Sequence, residues 1–473
     1  MVDLAWKAKM VSSDIPNNSP RLSNKLNVLI PTPAPFRGVT NVSPVSASDS
    51  ACSAYDHYFR LPELRKLWSS KEFPDWRNES ILKPALQALE ITFRLVSTVL
   101  SDPRPYVNRR EWKRKLESLA TSQIQLIALF CEDLEARGTA PIVDLTSSTG
   151  VLARDRSYTE VWKVSPETTV VNRYSEASFL PRLAAWETAE DIAQKILYSI
   201  ECEMRSCPYT LGLGEPNLAG KPNLDYDAVC KPNDVHNLNK NPYEQIHNHE
   251  NQTLYTTHQI LESWIQVTKE VIKRVIERIE AKKFEMASSD CYMLERIWKL
   301  LSEIEDLHLL MDPDDFLKLK NQLLMRSLDE TEAFCFRSRS LVEITKSCKE
   351  LKHKVPEILD VEVDPKGGPR VQEAAMRLYS EKIDSEKIHL LQGLQATEAA
   401  LKKFFYGYKQ MLVVVMGSLE AKGNRVLANA ESDSLSQLFL EPTYFPSLDA
   451  AKTFLGEFWN HEQRVSENKN RRK

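Results

Sequence analysis

From Tyr55 onward the large apolar residues recur at intervals of three and four along most of the chain, and that spacing leaves little choice of fold class. Leu61, Leu64, Leu67 and Trp68 follow it, as do Ile81, Leu86, Leu89, Ile91, Phe93, Leu95 and Val96. A helix of 3.6 residues per turn gathers such positions on one stripe and leaves charged residues facing water. The same pattern predicts helices over Trp112 to Cys131, about 179 to 205, about 253 to 283, about 290 to 309, from Asp312-Pro313 to about Met325, and in a final pair at about 370–383 and 384–419. A sheet needs several runs of strict alternation, and at most one or two short ones occur, such as Thr169 to Val171. The expected fold is therefore mainly all-α, a helical bundle.

Turn-forming composition divides the chain. Residues 1–50 are rich in Ser, Pro and Asn and poor in large apolar side chains, which predicts a disordered tail carrying Ser19-Pro20 and Ser43-Pro44. Residues 51–207 read as an N-terminal helical domain that ends at Cys207-Pro208, since proline cannot continue the hydrogen-bond ladder. Within it, about 137 to 168 is polar and reads as a surface loop. Residues 208–252, with Gly212, Gly214, Pro216, Gly220, Pro222, Pro232 and Pro242, read as a long junction loop. A second helical domain is expected over 253–425, and a C-terminal extension with a basic tail over 426–473.

Charge and cysteine content narrow the classes of function. Sixty-two Lys and Arg against 66 Asp and Glu leave a net charge of -4, so neither nucleic acid nor an anionic membrane is implied as the main partner. The first ten residues hold no apolar stretch long enough for a signal peptide, and no run of apolar residues is long enough to span a bilayer. A cytoplasmic or nuclear protein is expected. Eight cysteines are scattered without Cys-x-x-Cys spacing, so reduced thiols are expected rather than a disulfide framework.

Few constellations offer chemistry. Gly214 to Pro222 has the look of a phosphate loop, but its spacing is one residue too long and Pro222 replaces the metal-binding hydroxyl. His236, His247 and His249 share one loop with Cys230, the weak makings of a zinc site without the tight paired spacing that structural zinc uses. His258, near the start of a strongly periodic helix and beside Trp264, reads first as a hydrogen-bonded core histidine. Arg337, in Phe334-Cys-Phe336-Arg337, suits a buried ion pair or the capture of a carboxylate.

Several long stretches resemble the HSPRO family of plant nematode-resistance-like proteins. They are Leu61-Pro-Glu-Leu-Arg-Lys-Leu-Trp-Ser69, Ile81-Leu-Lys-Pro-Ala-Leu-Gln-Ala-Leu-Glu90, Glu201 through Asn223, and Asp306-Leu-His-Leu-Leu-Met-Asp-Pro313. The resemblance implies a role in basal resistance to pathogens and nematodes. It also implies interaction with the regulatory gamma-type subunit of the Snf-related kinase complex.

Residues 220 to 420 are more distantly similar to tryptophan 2,3-dioxygenase. Thr257-His258-Gln259, followed by Glu262 and Trp264, looks like that family's T-H-Q-x-x-E-x-W pattern, with Met311-Asp-Pro-Asp-Asp-Phe316 and Phe336-Arg337 in the same order. The likeness implies a fold resembling the tryptophan/indoleamine 2,3-dioxygenases, with His258 on the distal side of a haem and Arg337 on a substrate carboxylate. Leu254 and Trp264, on the same predicted helix, join them as pocket candidates. Ungapped counting back from Gly417-Ser418 puts Tyr408 where those enzymes carry their proximal histidine. A phenolate favours ferric iron, whereas dioxygen activation needs ferrous iron. His389 would serve only if the register shifted by some twenty residues, and the substrate-binding Thr-Gly-Gly-Ser-Ser-Gly loop has no counterpart after Ser418. The expectation is a non-catalytic protein without a cofactor that works by binding partners; the alternative is a haem- or indole-binding sensor or enzyme using His258 and Arg337.

Overall fold

A computed structural model describes residues 55–70, 79–101, 106–132, 175, 177–214, 223–238, 249–314, 338–362, 370–382, 384–416 and 441–456. In chain order the helices are α1 (Leu61–Ser69), α2 (Glu79–Ser101), α3 (Arg109–Cys131), α4 (Phe179–Ala184), α5 (Glu190–Glu203), α6 (Tyr226–Cys230) and α7 (Pro232–Leu238). Beyond these come α8 (His249–Glu280), α9 (Phe284–Glu305), α10 (Arg339–Glu350), α11 (Val355–Ile358), α12 (Arg370–Glu381) and α13 (Ser385–Met416). Residues 55–58 add a helical turn ahead of α1, and 446–456 are helical. Among the described residues there is no strand, only the isolated bridge between Thr210 and Asn223. The mainly all-α expectation holds.

The longest helices make the frame. α8 turns into α9 through Ala281–Lys283, with Lys282 in the left-handed region at φ 54° to close the end of α8. Arg274 and Arg278 on α8 both reach Asp290 on α9, at 2.6 and 2.8 Å, which fixes this antiparallel pair through a buried carboxylate. α13 lies beside α9 and runs in the same direction. Thr397 donates to the Cys291 carbonyl at 3.2 Å, and further along Trp298 packs on Phe404 at 5.4 Å. Gly393 permits this approach: a Cβ there would stand 2.9 Å from the Cys291 Cβ.

α2 and α3 pack on the same frame. Thr92 on α2 accepts from Gln123 on α3, whose carbonyl accepts from Trp264 Nε1 on α8. Tyr106, before α3, bonds Thr253 at 2.6 Å. One apolar core therefore runs from Leu86, Leu89 and Phe93 through Trp264 to Trp298 and Phe404.

Two stretches depart from the pattern reading. The helix expected over 179–205 is broken: α4 ends at Ala184, and α5 begins at Glu190. Residues 185–188 are exposed, so burial does not hold that turn in the helix. The expected junction loop contains α6 and α7. Asp225 caps α6 by accepting from Ala228 N, and Pro232 opens α7, where its missing N–H leaves no bond unmade. Asp312 accepts from the Asp314 amide as a helix start would require, but the rest of that predicted helix lies outside the described residues. So do the tail over 1–50 and the stretch Thr169 to Val171. The six described cysteines that are assigned a state are free thiols.

Candidate functional site

His258 projects from the third turn of α8 into a closed layer of side chains and is 4% exposed. Its Nδ1 donates to the Leu254 carbonyl one turn earlier, at 3.0 Å. A carbonyl can only accept, so the proton sits on Nδ1. Phe59, just ahead of α1, lies on the imidazole face with centroids 4.6 Å apart and planes at 6°. Tyr55 and His308 meet it edge-on, at 6.1 and 5.2 Å. His308 comes from the 3₁₀ turn Asp306–Leu310 after α9; its Nδ1 donates to the Glu305 carbonyl at 2.8 Å, with the Glu305 carboxylate 3.0 Å away.

Glu262 stands one turn after His258 and is equally enclosed. It accepts from the Tyr55 hydroxyl at 3.1 Å on one oxygen, while its other oxygen, Oε2, has no hydrogen-bond partner among the described residues; Ser338, at the head of α10, lies close enough to favour its charged form. Ser338 also caps that helix by accepting from Leu341 N. At the rim, Arg65 of α1 holds Asp56 through two bonds of 2.7 and 3.1 Å. Burial pushes the Glu262 carboxyl up to about 7, against the pull of Ser338, Arg65 and Tyr55. The Tyr55 phenol is raised well above its usual value, first by its own burial and then by the Glu262 and Glu305 charges. Burial and the neighbouring His308 hold His258 down at about 3, so at neutral pH the ring is uncharged.

The candidates from the sequence separate here. Leu254 backs His258 through its carbonyl, while its side chain is buried. Trp264, six residues further on, points instead at Gln123 of α3 and is part of the interhelix bond chain. Tyr408, on α13, is 3% exposed and close enough to Tyr55 to affect its ionisation. Arg337 and His247 lie outside the described residues, and His249 is the first residue of α8. His389, on α13, is exposed.

His236 is not a loop histidine. It sits on α7, and its Nε2 bonds Glu90 at 2.9 Å, with Phe179 edge-on at 4.3 Å. Glu90, fully enclosed on α2, also accepts from Ser178 Oγ at 2.7 Å, the Phe179 amide at 2.7 Å and the Tyr226 hydroxyl at 3.1 Å. One carboxylate thus ties α2 to α4, α6 and α7. Among the described residues no group of three or more His, Cys, Asp or Glu is placed to hold a metal ion.

Sequence reasoning missed Tyr55, Phe59, Glu305 and His308 at the first site and Glu90 at the second. His308 lies inside one of the family-like stretches, Asp306 to Pro313, and Glu90 ends another, so both were quoted for resemblance and not for chemistry.

Comparison with known proteins gives close relatives across the whole chain. Nematode resistance protein-like HSPRO2 from Arabidopsis thaliana is 58% identical over 463 residues, covering 98% of this chain and 100% of the relative. Nematode resistance protein-like HSPRO1 from the same plant is 57% identical over 463 residues, covering 97% and 100%. No solved structure matches the chain. With the Hs1pro-1 N-terminus family matching residues 1–201 and the Hs1pro-1 protein C-terminus family matching residues 204–461, the chain belongs to the Hs1pro-1, or HSPRO, family.

Proposed function

We propose that the protein is a non-catalytic regulator of plant basal defence, including resistance to nematodes, and that it acts in the cytoplasm by binding other proteins. The regulatory gamma-type subunit of the Snf-related kinase complex is the partner proposed. The defence role rests on relatives that are named nematode resistance protein-like and match over essentially their full length.

The observation that carries the non-catalytic reading is the packing at His258. Phe59 covers its ring face and Tyr55 and His308 its edges. Tyr55 and Phe59 pack directly against the imidazole that would have to face a haem, which supports the reading without that group. Glu262, at 1% exposure and bonded to Tyr55, is likewise enclosed by the described residues, which supports the same reading. A general acid or base must come within hydrogen-bond reach of the proton it moves.

Two measurements test this. Purified protein should gain no Soret band on addition of hemin; a sharp band that disappears in Tyr408→Phe or His258→Ala would replace the reading with a haem-binding sensor. The kinase regulatory subunit should be captured by the full chain and equally by a chain lacking residues 1–50. Failure of the full chain to capture it would remove that partner.

A further inference from the structure

The first two turns of α3 place their charges against the helix. Arg109, Arg110, Lys113, Arg114 and Lys115 face a single acid, Glu111, within seven residues. A helix start carries the positive pole of the peptide dipoles and favours acidic side chains, so cations there oppose helix formation. The amide end is already served by Asn108, whose side chain accepts from Glu111 N. Arg109 serves the Leu100 carbonyl at the end of α2, Lys113 reaches Thr188 and Arg114 pairs with Glu111, but these contacts leave an excess of exposed positive charge at this helix start, and a local rule broken beyond its folding use marks a candidate functional surface.

The stripe is open to solvent. Arg110 is exposed, and the Arg114 side chain remains 71% exposed while paired with Glu111 at 2.5 Å. Arg109 bonds the Leu100 carbonyl. Beside the cations, Val107 is 83% exposed, the most exposed of the large apolar side chains of the described body. Trp112 is buried in the core, so the stripe itself presents no aromatic ring. On one flank Lys113 reaches the Thr188 carbonyl at 3.5 Å, which brings in the turn between α4 and α5 with exposed Glu187, Glu190 and Asp191.

We propose that Val107, Arg110, Lys113 and Arg114, the three cations one turn apart on one face of α3, form a docking surface for an acidic polypeptide segment carrying an aliphatic pocket or side chain that meets Val107. The inference rests on the protein-binding reading above and names its surface. Charge complementarity selects an anionic partner. The acidic flank selects its width: a broad anionic bilayer would press against Glu187, Glu190 and Asp191, whereas a single extended segment lies along the cations alone. Single-stranded nucleic acid binds by stacking bases on exposed rings; the exposed ring on this flank, Trp186, sits next to Glu187 in the acidic turn, where phosphates are repelled.

The test uses the full chain and a labelled Glu/Asp-rich peptide of about twelve residues carrying one leucine, with its Gln/Asn counterpart as control, at low salt where surface charge acts over ~30 Å. The acidic peptide should bind and the control should not. Arg110→Glu with Arg114→Glu should weaken binding at least ~10-fold, Arg110→Gln with Arg114→Gln by less, and Val107→Asp by ~3-fold, as expected for rim charges and an apolar contact. Unchanged circular dichroism in the Gln pair keeps the result independent of folding. Binding that ignores both double variants overturns the proposal. So does tighter, Arg110- and Arg114-dependent binding to phosphatidylserine vesicles or to a single-stranded RNA. If the kinase subunit is captured equally by the charge-reversed chain, the docking surface fails while the protein-binding reading stands. If the acidic peptide binds but the subunit does not, the surface stands and the named partner falls.

Discussion

Glu90 and Glu262 are the same residue type at nearly the same burial, 0% and 1% exposed, yet they live under opposite conditions. Glu90 receives four donors from α4, α6, α7 and the residue that caps α4. Glu262 receives one hydroxyl, that of Tyr55, its Oε2 has no hydrogen-bond partner among the described residues, and burial drives its carboxyl up to about 7. What separates them is the supply of donors, which replace the hydrogen bonds a carboxyl loses when it leaves water. The Glu90 centre is an anchor. The Glu262 centre is a buried titrating cluster with a neutral histidine one turn away.

Removing the anchor should have the largest effect. Glu90→Ala strands Ser178, Tyr226, His236 and the Phe179 amide. Leaving buried donors without their acceptor costs about 1–3 kcal/mol each, so the total should reach at least about 3 kcal/mol, readable as a lowered urea midpoint. An effect under about 1 kcal/mol would mean those donors have ready alternatives.

The pH response of the second centre is a sharper probe of the contrast. His258 has a folded value near 3 against about 6.5 unfolded, so the unfolded chain binds the extra proton and stability falls as pH drops from about 6.5 toward 3. Glu262 works the other way. Its folded value near 7 lies above the unfolded value near 4.5, so its contribution is greatest below about 4.5 and is lost as pH rises through 7. Between about pH 4.5 and 6.5 the two slopes oppose each other.

Replacing either group should therefore tilt the profile, in opposite directions. His258→Gln should leave stability declining as pH rises from 5 to 7, and Glu262→Gln should leave it rising, each by up to about 2–3 kcal/mol across the window. Urea unfolding at several pH values reads both, and parallel profiles for wild type and variants would show that neither group titrates on unfolding. Gln123→Ala should have the smallest effect, about 1–2 kcal/mol, from the lost Trp264 and Thr92 bonds, with no pH dependence.

His258 was legible as a position because its motif stands in a strongly periodic helix, and the first reading of it, a hydrogen-bonded core histidine, matches its bond to Leu254. Its neighbours were not legible. Tyr55 meets Glu262 across 207 residues of sequence, and Ser178 meets Glu90 across 88. No local period encodes a contact between two helices so far apart. His236 shows the same limit: proximity to His247 and His249 in sequence suggested a ligand set, while helix α7 turned it toward Glu90.

The sequence by itself determined the helices. The three- and four-residue spacing placed α2, α3, α8, α9 and α13, because an apolar stripe forms wherever side chains repeat with the helical turn, whatever the stripe later packs against. It also determined the family, through long matching stretches at both ends of the body. Tertiary structure alone decided where the α4 and α5 helices part, which carboxylate becomes an anchor, and that Phe59 and Tyr55 close over His258. Those outcomes depend on which burial and which donors each residue meets after the helices come together, and that is a property of the packed body rather than of any one segment.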